Sequence, residues 1–178
     1  MSEEVVWVEF VWDLPGRDFE APAPDGYGLR PARSDEAGVV TAVSVDAYAS
    51  DPTWKPMISS IRKRMSDRVS QAFAEEDSCF ICATQDDRVV AVSGVAETHW
   101  TRQNFLTGIC VLPDHQRRGL GLCLLAASLR WLRGRGLQTA NVFTEEGSIA
   151  DIGVYPHFGP KRITGVEYID PPKAGEPD

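Results

Sequence analysis

The sequence predicts a single α/β (α+β) domain: a mixed, mostly antiparallel twisted sheet flanked by helices, with an extra N-terminal strand. Three observations lead there. Stretches of period-two alternation and stretches with apolar residues three and four apart follow one another along the chain. Three strand-like runs, 78–84, 89–98 and 106–112, come in succession as a meander. The 178 residues, 43% apolar and 25% charged, suit one globular core.

Residues 5–12 (VVWVEFVW) read as a strand with Val6, Val8, Phe10 and Trp12 on one face. So apolar a face is an aggregation hazard unless it pairs, so it either extends the sheet or crosses into a homodimer. Residues 13–25 hold three prolines and Gly16 and read as a connector. The N-terminal strand and this connector (1–25) therefore stand apart from a main domain at 26–170 and a tail at 171–178.

A strand at 26–32 precedes Ser34, Asp35 and Glu36, which supply an N-cap and an acidic first turn. Val39, Val40, Val43 and Ala47 form the stripe of the helix that follows. Two prolines in 49–56 break it around Trp54. A second helix spans 57–74, with Ile58, Ile61, Met65, Val69 and Phe73 inward and Arg62, Lys63, Arg64 and Arg68 on a solvated face. Gln85-Asp86-Asp87-Arg88 joins the first two meander strands as a hairpin, and Pro113 ends the third. Leu122, Leu125, Leu129 and Leu132 mark a long amphipathic helix that Gly134 and Gly136 terminate. A strand at 137–144 follows, then a weak helix at 148–158 disturbed by Gly153 and Pro156, and short closing strands at 162–164 and 166–169.

Net charge of −8 and a pI near 4.9 argue against nucleic-acid binding. Met1-Ser2-Glu3-Glu4 lacks the basic start of a signal peptide, and the longest apolar run, around 120–129, is too short to span a bilayer. A cytoplasmic protein without membrane contact is expected. Cys79-Phe80-Ile81-Cys82 has the spacing of half a zinc site, but on a strand its thiols face opposite ways and no second pair follows. His99, His115 and His157 share no ligand spacing. No metal is expected.

The stretch 106–135 carries the chemistry. A buried strand runs into Gln116-Arg117-Arg118-Gly119-Leu120-Gly121 and then at once into a helix. Unpaired N–H groups and the dipole at a helix start favour an anion, and two arginines beside them favour a phosphate. Gln116-x-x-Gly119-x-Gly121 resembles the acyl-CoA signature of the GNAT superfamily of N-acyltransferases. A P-loop would need Gly-Lys-Ser/Thr, and a dinucleotide fingerprint a third glycine. The order of elements from 26 to 170 is similar to that family's as well.

The resemblance implies acetyl-CoA as cosubstrate. Its pyrophosphate would lie on Gln116, Arg117, Arg118, Gly119, Leu120 and Gly121, with the glycines admitting the main chain where a Cβ would collide. Its pantetheine arm would pair with the main chain of Ile109, Cys110 and Val111 as an added strand does. The family's acid tyrosine corresponds to Tyr155, in Tyr155-Pro156-His157-Phe158-Gly159. Pro160 stands where the family has an aromatic, and Ser148 where it has an asparagine that helps hold coenzyme A.

Acyl transfer to an amine requires an oriented donor, a neutral amine and a proton for the leaving thiolate. Glu97, near the end of its strand, is the residue the family's base suggests; His99, Asp114 and His115 remain alternatives. The loops 49–56 and 98–104, with Trp54 and Trp100, should line the acceptor pocket. The chain is thus expected to be an N-acetyltransferase acting on a primary amine of a small molecule or peptide, by direct attack in a ternary complex. A non-catalytic acyl-CoA-binding domain on the same fold is the alternative.

Overall fold

The computed structural model describes residues 4–98 and 101–168. In chain order the elements are β1 (Trp7–Asp13), β2 (Gly28–Pro31), α1 (Ala37–Ser50), α2 (Ile58–Ala72), β3 (Ser78–Gln85), β4 (Arg88–Ala96), β5 (Phe105–Val111), α3 (Leu120–Gly134), β6 (Thr139–Glu145), α4 (Ile149–Gly153) and β7 (Lys161–Val166). They build two antiparallel sheets, β2-β3-β4-β5 and β6-β1-β7. Asp86 and Asp87, at φ of 50° and 62°, make the tight turn of the β3–β4 hairpin.

The N-terminal strand is internal. β1 lies between β6 and β7, from Trp7 opposite Glu145 to Asp13 opposite Thr139, and pairs within its own chain rather than with a second copy. Its alternation buries Val8, Phe10 and Trp12 completely beneath Leu125, Leu129 and Leu132 of α3. Removing three such side chains from water stabilises the fold by roughly 1.5–3 kcal/mol each. Val6, expected on this face, precedes the strand and is exposed.

The connector after β1 is also part of the core. Leu14 and Phe19 are fully buried, and Arg130 and Arg133 of α3 donate to the carbonyls of Phe19 and Arg17. The first half of α3 packs on the other sheet, with Leu120, Cys123 and Leu124 against Ile81, Ala83 and Val90. α1 and α2 cover that sheet's opposite face, where Val40, Val43 and Val69 meet Phe80, Cys82 and Val92. Cys82 thus faces α1 and α2 while Cys79 packs on the α3 side, as alternation requires.

Several local expectations give way to tertiary contacts. Glu36 makes no side-chain cap; its carboxylate takes two bonds from Arg30 at 2.8 Å and one from the Arg33 N–H at 2.7 Å. Val39 is exposed, while Ser44 and Val45 are buried in its place. On α2, Ile58 and Phe73 face inward as half-buried residues packed on the core, and Arg68, expected on the solvated face, is buried with Ala72. The helix expected over 148–158 is the five-residue α4 followed by turns, and of the two closing strands only the first forms, as β7, which ends at Val166 and leaves 167–168 without regular structure. Ile169 and the tail 171–178 lie outside the described residues. Among the described residues no helix is long and apolar enough to cross a membrane.

Candidate active site

Where the two sheets meet, β5 and β6 start side by side. The Asn104 N–H donates to the Asn141 carbonyl at 3.1 Å, and the Asn141 N–H to the Asn104 side chain at 3.0 Å. Beyond this clasp the strands share no ladder, and a cleft of about 670 Å³ opens between Ile109, Cys110 and Val111 on one side and Phe143 and Thr144 on the other.

The open edge of β5 follows from antiparallel geometry. Leu112 N–H donates to Val90 O at 2.9 Å, so alternation turns the main chain of Leu112 and Cys110 toward β4 and that of Ile109 and Val111 toward the cleft. The Ile109 N–H is taken by the Tyr155 hydroxyl at 3.2 Å, and Val111 O by the Gln116 side-chain amide at 3.0 Å. Among the described residues the Ile109 carbonyl and the Val111 N–H remain as the open pair on this side. An extended amide-bearing ligand fits such a pair as an added strand would. Cys110, expected to share this role, gives its main chain to β4. Its thiol donates to Thr107 O at 3.3 Å, and burial pushes it up to about 12, so it stays a protonated thiol at neutral pH.

The glycine turn closes one end of the cleft. Arg117 (φ 59°) and Gly119 (φ 89°) are both left-handed, which bends the backbone tightly just before α3. Only glycine holds the φ of Gly119 without strain. At Gly121 the cause is contact: a Cβ there would lie 3.0 Å from Val154 Cγ2. The glycine lets the start of α3 approach the segment that carries Tyr155, a protein–protein reason beside the expected ligand clearance. Arg117, Gly119, Leu120 and Gly121 line the cleft with Gln116. Arg118 is exposed and is not among the lining residues. His115 does line it, held by the Tyr27 hydroxyl at 2.8 Å from Nδ1.

Tyr155 belongs to core and cleft at once. Its ring packs on Phe10 (5.5 Å between centroids), Trp12 (6.0 Å) and Phe105 (6.2 Å), and it is 2% exposed. Pro156 does no harm, because α4 has ended by Gly153. The Tyr155 N–H still bonds to Ala150 O at 2.9 Å. Phe158, two positions before Pro160, meets Phe19 at 5.8 Å. Burial raises the phenol well above its ordinary value, the Ile109 hydrogen bond opposing this in part. The hydroxyl oxygen accepts from Ile109, and among the described residues its own proton has no acceptor, so it can be given into the cleft.

A second tyrosine, Tyr48, reaches the same place from α1. Between Gly94, opposite Gly108, and Val95, opposite Phe105, the register slips, so Leu106 and Thr107 form a bulge in β5. The Tyr48 hydroxyl donates to Thr107 O in this bulge at 2.7 Å. Gly108, at φ 70°, has no room for a side chain: a Cβ would come 2.9 Å from the Tyr48 oxygen and 3.0 Å from the Tyr155 oxygen. Beyond Tyr48 lies a small chamber of about 40 Å³ with Trp7, Trp54, Phe143 and Tyr168 in its walls. Tyr48, Trp54 and Phe143 border both spaces.

Other expected residues are elsewhere. Glu97 pairs with Arg135 past the end of β4, and its N–H donates to Asp77 O. It does not line the cleft. Asp114 is exposed outside it, and His99 and Trp100 lie outside the described residues. Ser148 is the N-cap of α4, accepting from the Asp151 N–H at 3.2 Å and bonded to the Thr144 hydroxyl at 2.9 Å. Asp51, which no motif marked, lines the cleft; its carboxylate accepts from the Thr53 N–H (2.9 Å) and the Ile149 N–H (3.0 Å), tying α1 to α4. No His, Cys, Asp and Glu cluster among the described residues could hold a metal ion.

The family model described as Acetyltransferase (GNAT) family matches residues 46–159. Mycothiol acetyltransferases from Saccharomonospora viridis and Streptomyces coelicolor are each 30% identical over 82% of this chain, which covers 49% and 47% of them. The chain thus spans about half the length of the curated relatives it matches. In fold it is similar to a Drosophila protein (TM-score 0.57, 19% identity, 89% of this chain and 48% of that one). It is likewise similar to a GNAT-family protein from Novosphingobium aromaticivorans (TM-score 0.56, 16% identity, 90% and 62%). With strand, glycine turn and helix aligned at the mouth of a splayed cleft, the chain belongs to the GNAT family of acetyltransferases.

Proposed function

We propose that this chain is an N-acetyltransferase that moves an acetyl group from acetyl-CoA to a primary amine of a small molecule, by direct attack in a ternary complex. The relatives' name makes a mycothiol-related amine the first acceptor to try, with peptide amines as a second class. Residues 1–25 act with 26–170 as one unit, because β1 holds the ring of Tyr155.

The observation that carries the reading is the Tyr155 hydroxyl, 3.2 Å from the Ile109 N–H on the open edge of β5, in a cleft that starts at the glycine turn. Bound coenzyme A supplies the acetyl group as a thioester. The Ile109 carbonyl and Val111 N–H orient the arm, and the left-handed turn at Arg117 and Gly119 offers its N–H groups to phosphate. Tyr155 keeps its proton at neutral pH and gives it to the departing sulfur. The amine attacks as the free base and loses a proton to water. With a lysine-like pKa of about 10.4, roughly one amine in a thousand or fewer is neutral at pH 7.

A panel of amines with acetyl-CoA, read by release of free thiol, tests this. Saturable release with one class of amine and acetylated product in the mass spectrum are expected. Binding of acetyl-CoA with no release for any amine would overturn the catalytic reading.

A further inference from the structure

The two tyrosines at Gly108 have opposite hydrogen-bonding states. Tyr155 accepts from the Ile109 N–H and keeps its proton available. Tyr48 does the reverse: it spends its proton on Thr107 O at 2.7 Å, and among the described residues its lone pairs receive nothing. A phenol has one proton to give and lone pairs to receive with, so one hydroxyl is a poised donor and the other a poised acceptor. Their oxygens lie 3.0 and 2.9 Å from the single point where a Gly108 Cβ would stand. Both hydroxyls therefore border the same small space beside Gly108.

The surroundings assign the acceptor side. Tyr48 stands in the wall between the large cleft and the aromatic chamber, with Trp54 edge-on at 5.5 Å. At about 40 Å³ the chamber admits little more than the tip of a ligand. Burial holds the Tyr48 phenol well above its ordinary value, so it is no base. It can only receive a hydrogen bond, and an amine about to attack has N–H bonds to give.

We propose that Tyr48 is the amine-orienting residue of the site. Its oxygen accepts an N–H of the incoming primary amine, which enters from the cleft that both tyrosines line, and turns the nitrogen lone pair toward the acyl carbon. This rests on the acetyltransferase reading above. In the step, the N–C bond forms and the C–S bond breaks, with its electron pair going to sulfur. Tyr155 protonates the sulfur, the surplus amine proton goes to water, and Tyr48 neither gains nor loses a proton.

The test uses the full chain and the best amine of the panel. Tyr48→Phe should raise the KM for the amine or lower kcat roughly three- to tenfold, the worth of one neutral hydrogen bond. Coenzyme A affinity by calorimetry should stay within about twofold. Loss of coenzyme A affinity in step with turnover would show that Tyr48 only props the β5 bulge, and would overturn the role. A second variant decides the matter if Tyr48→Phe misfolds. Incorporating 3,5-difluorotyrosine at position 48 keeps the shape, strengthens the donor bond to Thr107 and weakens the oxygen as an acceptor. Amine kinetics should worsen at unchanged melting temperature; unchanged amine kinetics would overturn the role. If the unaltered protein releases no thiol with any amine, it is the acetyltransferase reading that fails, and this inference with it.

Discussion

The indole N–H of Trp12 donates to the main-chain carbonyl of His157 at 2.9 Å, joining residues 145 positions apart. The bond ties the central strand of the second sheet to the turn that carries Tyr155, whose ring rests on Trp12 and Phe10. Trp12→Phe removes the donor, leaves the part-buried His157 carbonyl without this partner and opens a small void in the core around Phe10. Urea unfolding should show a loss of about 1–3 kcal/mol. An unchanged midpoint would mean the turn is held by its other contacts.

Deleting residues 1–12 takes out nearly all of β1, and with it the hydrogen-bonded partner of both β6 and β7. The shortened chain should lose cooperative unfolding, with circular dichroism and thermal melting as the readouts. A truncated protein that melts as the full chain does would contradict the internal placement of this strand.

Gly121 should tolerate a methyl group only if Val154 gives way. Gly121→Ala is expected to weaken coenzyme A binding by displacing the Tyr155 segment from β5, and Val154→Ala in the same chain to restore much of it. A double-mutant cycle by calorimetry reads the coupling. Two additive effects would show that the 3.0 Å approach has no consequence.

Acid stability has one identifiable contributor in Glu36. The two Arg30 hydrogen bonds, and then the Arg33 N–H, hold its carboxyl down to about 2 from an ordinary 4.5. A lowered folded value contributes stability that is present above pH 4.5 and lost as pH falls toward 2. Glu36→Gln should therefore lower stability at neutral pH and flatten its decline across that window. Parallel pH profiles for the two proteins would remove Glu36 from the account.

What could be read in the sequence was the local part of the site. Pro113, Gly119 and Gly121 punctuate a strand and a helix within 30 residues, and that pattern survives any tertiary context. Tyr48 could not be read, because at helical spacing it is one more position beside an apolar stripe, and only the β5 bulge gives its hydroxyl a partner. The bulge itself is hidden: residues 106–112 look like an uninterrupted strand, and nothing local says that Gly108 is left-handed. The surroundings of Glu97 are equally hidden: the run 89–98 looks like one strand, yet β4 stops at Ala96 and the chain turns toward Asp77 and Arg135. The N-terminal strand was recognised as a strand in need of partners, but its partners lie some 130 and 150 residues away in β6 and β7, a separation that no local pattern encodes.

The measurement that bears most directly on the account is the turnover of Tyr155→Phe set beside its coenzyme A affinity. The change removes one hydroxyl and keeps the ring against Phe10, Trp12 and Phe105, so folding and donor binding should persist. A general acid contributes about 10²–10⁴ in rate, and turnover should fall on that scale while affinity stays within about twofold. Near-normal turnover in a folded Tyr155→Phe protein would contradict the proton-donor role, and with it the reading of the cleft between β5 and β6 as the place where the thioester is broken.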